Sequence, residues 1–159
     1  MLKILTLMGC GIAIALTAAC SIEPNGERPG LGVSGEVHKQ AVEDWSFTDD
    51  AYEIFLETAT PYWIPHSVTI RCATVGDKFY VAATNPHLRS WTANVSRDPN
   101  VRLKIKGKVY EQKLVPITDV EIIASIDAGY AKKYNYADVD VPGDVNTYGY
   151  WQVVDRGRE

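Results

Sequence analysis

The chain has 159 residues, a formal net charge of −4, a mean hydropathy of −0.14 and 46% apolar residues, enough for one domain with an ordinary core. With 20 acidic against 16 basic side chains it offers no basic surface for a phosphate backbone, which argues against nucleic acid as a partner. Three cysteines, Cys10, Cys20 and Cys72, are too few for a disulfide framework, so the fold must rest on apolar burial.

The chain opens with Lys3, an apolar run from Ile4 to Ala15, and Leu16-Thr17-Ala18-Ala19-Cys20. A charged start, a short apolar core and small residues before a cut are what the export machinery and its peptidase require. The segment resembles a bacterial lipoprotein signal. That resemblance implies that residues 1–19 are removed and that Cys20 is lipidated and becomes the first mature residue. An apolar stretch of about fifteen residues falls short of the ~20 that span hydrocarbon, so an uncleaved transmembrane anchor is the weaker reading. A plain secretory cut after Ala19 is another, with Thr17 standing where a small Ala is preferred. A cut at Cys10 would leave too short an apolar core. Several acyl chains on Cys20 would anchor the protein stably to a bacterial membrane. Ser21 beside the lipid-bearing Cys implies, in a Gram-negative host, transfer to the outer membrane on its periplasmic side. Loss of residues 1–19 removes Lys3 alone among charged groups and takes the net charge from −4 to −5.

From Ser21 to about Lys39 the chain is rich in Gly, Pro, Ser and Glu and poor in large apolar side chains, which predicts a flexible tether over residues 20–41. Within it Gly30-Leu31-Gly32-Val33-Ser34-Gly35 follows no strand and opens no helix, and so reads as linker rather than a phosphate loop. The domain then occupies residues 42–159. Asp50 with Glu53 three residues later predicts a capped short helix carrying Tyr52, Phe55 and Leu56 on one face. Pro61 and Pro65 interrupt the chain around Tyr62-Trp63-Ile64. Val68, Ile70 and Cys72 alternate with Thr69, Arg71 and Ala73 as in a strand, Gly76-Asp77 turns, and Lys78 to Ala83 returns as its antiparallel partner.

Leu88 to Arg97 predicts a brief helix that Asp98-Pro99 ends. A second hairpin follows, with Val101, Leu103 and Ile105 on one face, an Arg102, Lys104, Lys106 comb on the other, and Gly107 turning the chain into Val109 to Ile117. The comb reads as a solvated or edge-protecting face. Thr118 with Glu121 then predicts a capping box for a helix whose buried stripe is Ile122, Ile123, Ile126, Tyr130 and Tyr134, with Lys132 and Lys133 at its negative end. A Gly- and Pro-containing loop leads to a last strand, Tyr148 to Val154. The fold class is α+β: an antiparallel split β-barrel of about five to six strands with two to three helices.

This order of parts, with Trp91 and Asn94 in the short helix and Arg97-Asp98-Pro99-Asn100-Val101 joining the hairpins, resembles the split-barrel flavin-binding superfamily. Its closer likeness is to the branch of deazaflavin-dependent nitroreductase-like proteins. The late run Ile126-Asp127-Ala128-Gly129-Tyr130-Ala131-Lys132-Lys133-Tyr134 resembles that of a related group of small uncharacterised domains. The resemblance implies FMN or a deazaflavin held in a groove, usually at a homodimer interface, with hydride transfer done by the cofactor. It also implies a phosphate grip from Thr84, Asn85, Arg89 and Ser90, with Trp91 and Asn94 matching the helix motif. Where that branch carries a Gly- and Lys-containing run, this chain has Thr84-Asn85-Pro86-His87-Leu88.

Each candidate also has a purely structural reading: Trp91 as a core aromatic, Asn94 as a helix-end partner, and Arg71 as either a solvated side chain or one aimed into a ligand groove. Cys72 falls on the apolar side of its strand, where a thiol packs as a small hydrophobe. His38, His66 and His87 have no metal-ligand spacing, and neither a His-Glu-x-x-His helix nor a Gly-x-Ser-x-Gly turn occurs. Two functions follow from different classes: an envelope-anchored oxidoreductase, or a non-catalytic envelope lipoprotein that binds a small ligand or a protein partner. Export separates them, because Lys3 stands without the arginine pair of the route that carries folded, cofactor-loaded proteins.

Overall fold

The computed structural model describes residues 23–135 and 148–157. The segment read as a signal, with Cys20 and Ser21, and the Gly- and Pro-containing loop at 136–147, lie outside the described residues. In chain order the elements are β1 (Glu36–His38), β2 (Ile54–Thr58), β3 (His66–Ile70), β4 (Cys72–Val75), β5 (Lys78–Thr84), α1 (Ser90–Arg97), β6 (Asn100–Ile105), β7 (Lys108–Ile117), α2 (Val120–Tyr134) and β8 (Tyr148–Asp155). The fold is α+β, as expected, but the described residues hold eight strands rather than five or six, with two α-helices.

Two hairpins set the frame. Lys106 and Gly107 both take positive φ (49° and 81°), the conformation of the two-residue turn whose twist matches its flanking strands, and Ile105 pairs directly with Lys108. In the other two-residue turn, between Val75 and Lys78, only the first central residue, Gly76, takes positive φ, at 64°. The sheet runs β3-β2-β6-β7-β8-β5-β4, antiparallel throughout, and β1 adds in parallel to the free stretch of β7 at Lys108–Tyr110. Its first and last strands, β3 and β4, are separated in the chain by Arg71 alone. One residue spans at most about 7 Å, so the two edges must meet there and the sheet curls into a barrel.

The inward side chains fill that barrel. Leu56, Phe79, Val81, Leu103 and Leu114 are each at most 1% exposed, and Trp45 stacks on Phe79 with ring centres 4.7 Å apart. Trp91 and Val95 of α1 enter the same core from the other end. On the outside, α2 lies against β4, β5 and β8 over a smaller core of Tyr80, Ile126 and Tyr150. Gly129 permits that approach, since a Cβ there would stand 2.8 Å from Cγ2 of Val75.

Several expectations are corrected. The segment after Asp50 is strand, not helix: Ile54, Leu56 and Thr58 face inward with period two, and β2 is paired on both sides, by β3 and β6. Two ladders outweigh one local capping pair, and Asp50 instead pairs with Lys106. The run Val68 to Ala73 is not one strand but two, broken at Arg71. On α2, Asp119 rather than Thr118 is the N-cap, its carboxylate accepting from the amides of Glu121 and Ile122 at 2.9 and 3.2 Å. Ile122 is 39% exposed, so the buried stripe reduces to Ile126 with half-buried Ile123, Tyr130 and Tyr134.

The described part of the segment read as tether, from Glu23 onward, lies on the barrel. Gly30 exchanges both backbone hydrogen bonds with Ser67 on β3, at 2.8 and 2.9 Å. Val33 is 5% exposed and donates its amide to Glu57 at 2.7 Å. Glu57 in turn accepts from Arg102 at 2.9 Å, and Glu23 accepts from Lys104 at 2.8 Å and from the Ser34 amide at 2.7 Å. Residues 23–34 thus close on themselves as a strap over the outer face of β3, β2 and β6, and Arg102 and Lys104 of the basic comb, read as a solvated or edge-protecting face, are the strap's anchorage.

Candidate functional site

β4 pairs only with Lys78–Val81 of β5, whereas Ala82–Thr84 are paired on their other side alone, by β8. Past Arg71, then, β3 and the end of β5 diverge, and the barrel is split. The split is a groove of about 1140 Å³. One wall is β3 with His66 and Thr69; facing it stand Asp127 and Tyr130 of α2 with Tyr148 and Tyr150 of β8. The start of α1 lies at one end, and the strap tip at 26–29 forms a rim that carries Arg28.

Of the residues singled out from the sequence, Arg71, Thr84, Arg89, Ser90 and Trp91 line this groove, and Asn85 and Asn94 do not. The exposed Arg71 is steadied by Tyr52, whose hydroxyl accepts from Nη2 at 3.2 Å, and its guanidinium lies 5.4 and 5.2 Å from the Tyr52 and Tyr134 ring centres. Arg89 Nε donates to the Thr84 carbonyl at 3.1 Å, which holds the side chain across the mouth of α1. Ser90 begins that helix, whose first-turn amides have no acceptor within it. Trp91 is 4% exposed and packs on Trp151 at 5.0 Å, so nearly all of its ring belongs to the core and only its margin reaches the groove floor.

Asn85 takes a left-handed conformation, φ 49°, where the chain leaves β5. Asn94 is 7% exposed; its Nδ2 donates to Thr58 Oγ1 at 3.0 Å and its Oδ1 accepts from Arg97 at 2.9 Å, bolting α1 to β2. Cys72 is fully buried, and burial pushes its thiol pKa up despite Lys133 at 3.4 Å from the sulfur.

The groove also holds residues that the sequence reading passed over. Three buried side-chain atoms among the described residues have no hydrogen-bond partner, His66 Nδ1, Thr69 Oγ1 and Asp127 Oδ2, and all three residues line the groove. Asp127 Oδ1 accepts from the Tyr150 hydroxyl at 2.6 Å. Burial first, then the bond to Asp127 and its charge, push the Tyr150 pKa well above the usual tyrosine value, so it stays a donor. Burial lowers His66, which leaves a neutral imidazole at pH 7. A signal for Asp127 exists in the sequence: it stands four residues after Ile123 and three before Tyr130, a carboxylate inside an apolar stripe. Among the described residues no group of three His, Cys, Asp or Glu side chains could hold a metal ion.

A curled antiparallel sheet that opens beside such a groove defines the split β-barrel class. The chain belongs to the family described as uncharacterized protein conserved in bacteria (DUF2255), whose model matches residues 49–147. No curated protein matches the sequence. Solved structures share the fold at low identity. The heme storage protein HutZ from Vibrio cholerae is 10% identical with a TM-score of 0.56, over 70% of this chain and 87% of that one. A structure titled F420-H2 dependent reductase (FDR-A) is 15% identical with a TM-score of 0.51, over 77% and 99%. Atu2129 from Agrobacterium tumefaciens, of unknown function, is 14% identical with a TM-score of 0.53; the match covers 67% of this chain but about half, 49%, of that one.

Proposed function

We propose that the groove at the split binds a flavin or deazaflavin, and that the protein is an oxidoreductase held on the bacterial envelope through a lipidated Cys20. The observation that carries this reading is the division of the groove into two chemical ends. Arg89, the Ser90 hydroxyl and the first-turn amides of α1 suit a phosphate. Under α2 the unpartnered Asp127 oxygen, on the helix whose Tyr130 bonds the Arg71 carbonyl at the seam, suits the polar edge of a heteroaromatic ring. The bound group would supply hydride transfer, and the protein its binding and orientation. The F420-dependent reductase of like fold supports the cofactor class. For the anchor, the support is Lys3, the apolar run and the small residues before Cys20.

Titrating the purified chain with FMN, a deazaflavin and hemin, and following the visible spectrum, tests the cofactor. Saturable binding of either flavin-class ligand is expected; hemin alone binding, or nothing binding at high micromolar concentration, overturns the reading. Reduction of bound ligand by a hydride donor, with turnover on a nitro- or quinone-type acceptor, separates an oxidoreductase from a non-catalytic binding module. Mass spectrometry of the mature N-terminus is expected to show acyl mass on Cys20, and an unmodified or uncut terminus would sink the anchor.

A further inference from the structure

The end of the groove under α2 carries an acceptor that the protein itself leaves unused. The Asp127 carboxylate is fixed from one side by the Tyr150 hydroxyl at 2.6 Å, and its other oxygen, Oδ2, is buried with no partner. A carboxylate only accepts, so whatever completes Oδ2 must bring an N–H or O–H. Leaving such an atom unsatisfied is costly, which makes the site demanding rather than permissive.

The surroundings narrow the donor. Arg28, Arg71 and Arg89 line the same groove, and their charges disfavour a cationic donor such as an ammonium. On β3 the Thr69 hydroxyl is a further group without a partner, able to meet a carbonyl, while His66 lies three residues away on the opposite face of the strand. The two walls come together here: Tyr130, one turn after Asp127 on α2, donates its hydroxyl at 3.1 Å to the carbonyl of Arg71, two residues after Thr69. An acceptor that demands a neutral N–H, with a hydroxyl donor on the facing strand, matches the N–H and adjoining carbonyl of a cyclic imide.

We infer that Asp127, positioned by Tyr150, recognises the imide N–H of the ligand and makes the groove selective for a pyrimidinedione edge. This rests on the flavin-class reading of the groove and adds to it the atom that is recognised and the residue that recognises it.

The test compares FMN with 3-methyl-FMN, which differ only in that N–H, by calorimetry on the purified full chain and on its Asp127→Asn variant. For the unaltered protein, 3-methylation should weaken binding by roughly ten- to hundredfold, the scale of a hydrogen bond to a charged acceptor. In Asp127→Asn, FMN should bind more weakly and the difference between the two ligands should collapse. Equal affinity of the unaltered protein for both ligands overturns the imide assignment while leaving flavin binding in place. A methylation penalty that persists unchanged in Asp127→Asn overturns it as well, because steric bulk elsewhere then accounts for the loss. If neither ligand binds, both readings fall together. Should Asp127→Asn not fold, Asp127→Ser removes the same carboxylate at smaller size and carries the same expectation.

Discussion

The Tyr134 hydroxyl accepts a hydrogen bond from the Cys72 amide at 3.1 Å and donates toward the carbonyls of Cys72 and Tyr52, at 2.9 and 2.8 Å. Cys72 is where β4 starts after the break at Arg71, so a helix side chain serves as partner where the two sheet edges meet. Burial, first among its causes, holds the Tyr134 pKa well above the ordinary value, and the phenol stays protonated. Tyr134→Phe leaves the Cys72 amide without a partner. A loss of about 1–3 kcal/mol in denaturant unfolding is expected, with faster hydrogen exchange at Cys72. Unchanged stability and exchange would show that the sheet edges hold the seam without α2.

Gly129 carries an opposite expectation from that of a helix considered alone. On an isolated helix Gly to Ala gains about 1 kcal/mol, yet here the new methyl would meet Val75 Cγ2 at 2.8 Å, with the Thr74 carbonyl oxygen at 3.8 Å behind it. Gly129→Ala should therefore lower the melting temperature, and it should move the groove wall, since Asp127 and Tyr130 ride on the same helix. A rise in melting temperature would mean that α2 has slack against β4.

The strap provides a pH-dependent element. Burial pushes the Glu23 pKa up, but the Lys104 ammonium and the Ser34 amide and hydroxyl outweigh it and hold the carboxyl below its ordinary 4.5. A carboxylate with a depressed pKa in the folded state contributes stability above its unfolded value and loses it as pH falls through the folded one. Below about pH 4.5, then, hydrogen exchange in residues 23–34 should quicken while the β6–β7 hairpin stays protected. Glu23→Gln should remove that pH dependence, and a strap equally protected from pH 7 to pH 3 would contradict the assignment.

How much of this was readable in the chain depends on the range of the forces. The two hairpins were legible because Gly76 and Gly107 sit where positive φ is needed, and α2 because Glu121, Ile126 and Lys133 follow helix rules over a few residues. The segment at 50–58 misled because its capping pair is local, whereas the ladders that make it strand come from β3 and β6, up to fifty residues away. The strap was invisible for the same reason: its Gly- and Pro-rich composition cannot order itself, and Ser67, Glu57 and Lys104 do so from elsewhere. In the groove, Thr84, Arg89, Ser90 and Trp91 are neighbours in the chain and were found as a run. His66, Thr69, Asp127 and Tyr150 come from three elements that meet only when the sheet curls, and no local pattern joins them.

Arg89 and Trp91 separate binding from folding within two residues of chain. Trp91 is 4% exposed among Trp151 and the α1 core, so Trp91→Ala should cost about 3–5 kcal/mol in stability, as large-to-small changes in cores do. Arg89 is exposed, and the bond from its guanidinium to the Thr84 carbonyl is a surface contact, so Arg89→Ala should leave stability within about 0.5 kcal/mol. Its effect should fall on the phosphate. FMN affinity should drop roughly tenfold and lose much of its salt dependence, while riboflavin, which has the ring but no phosphate, should bind the variant as it binds the parent protein. Equal losses for FMN and riboflavin would place the ring, not the phosphate, at the start of α1 and reverse the orientation of the ligand in the groove.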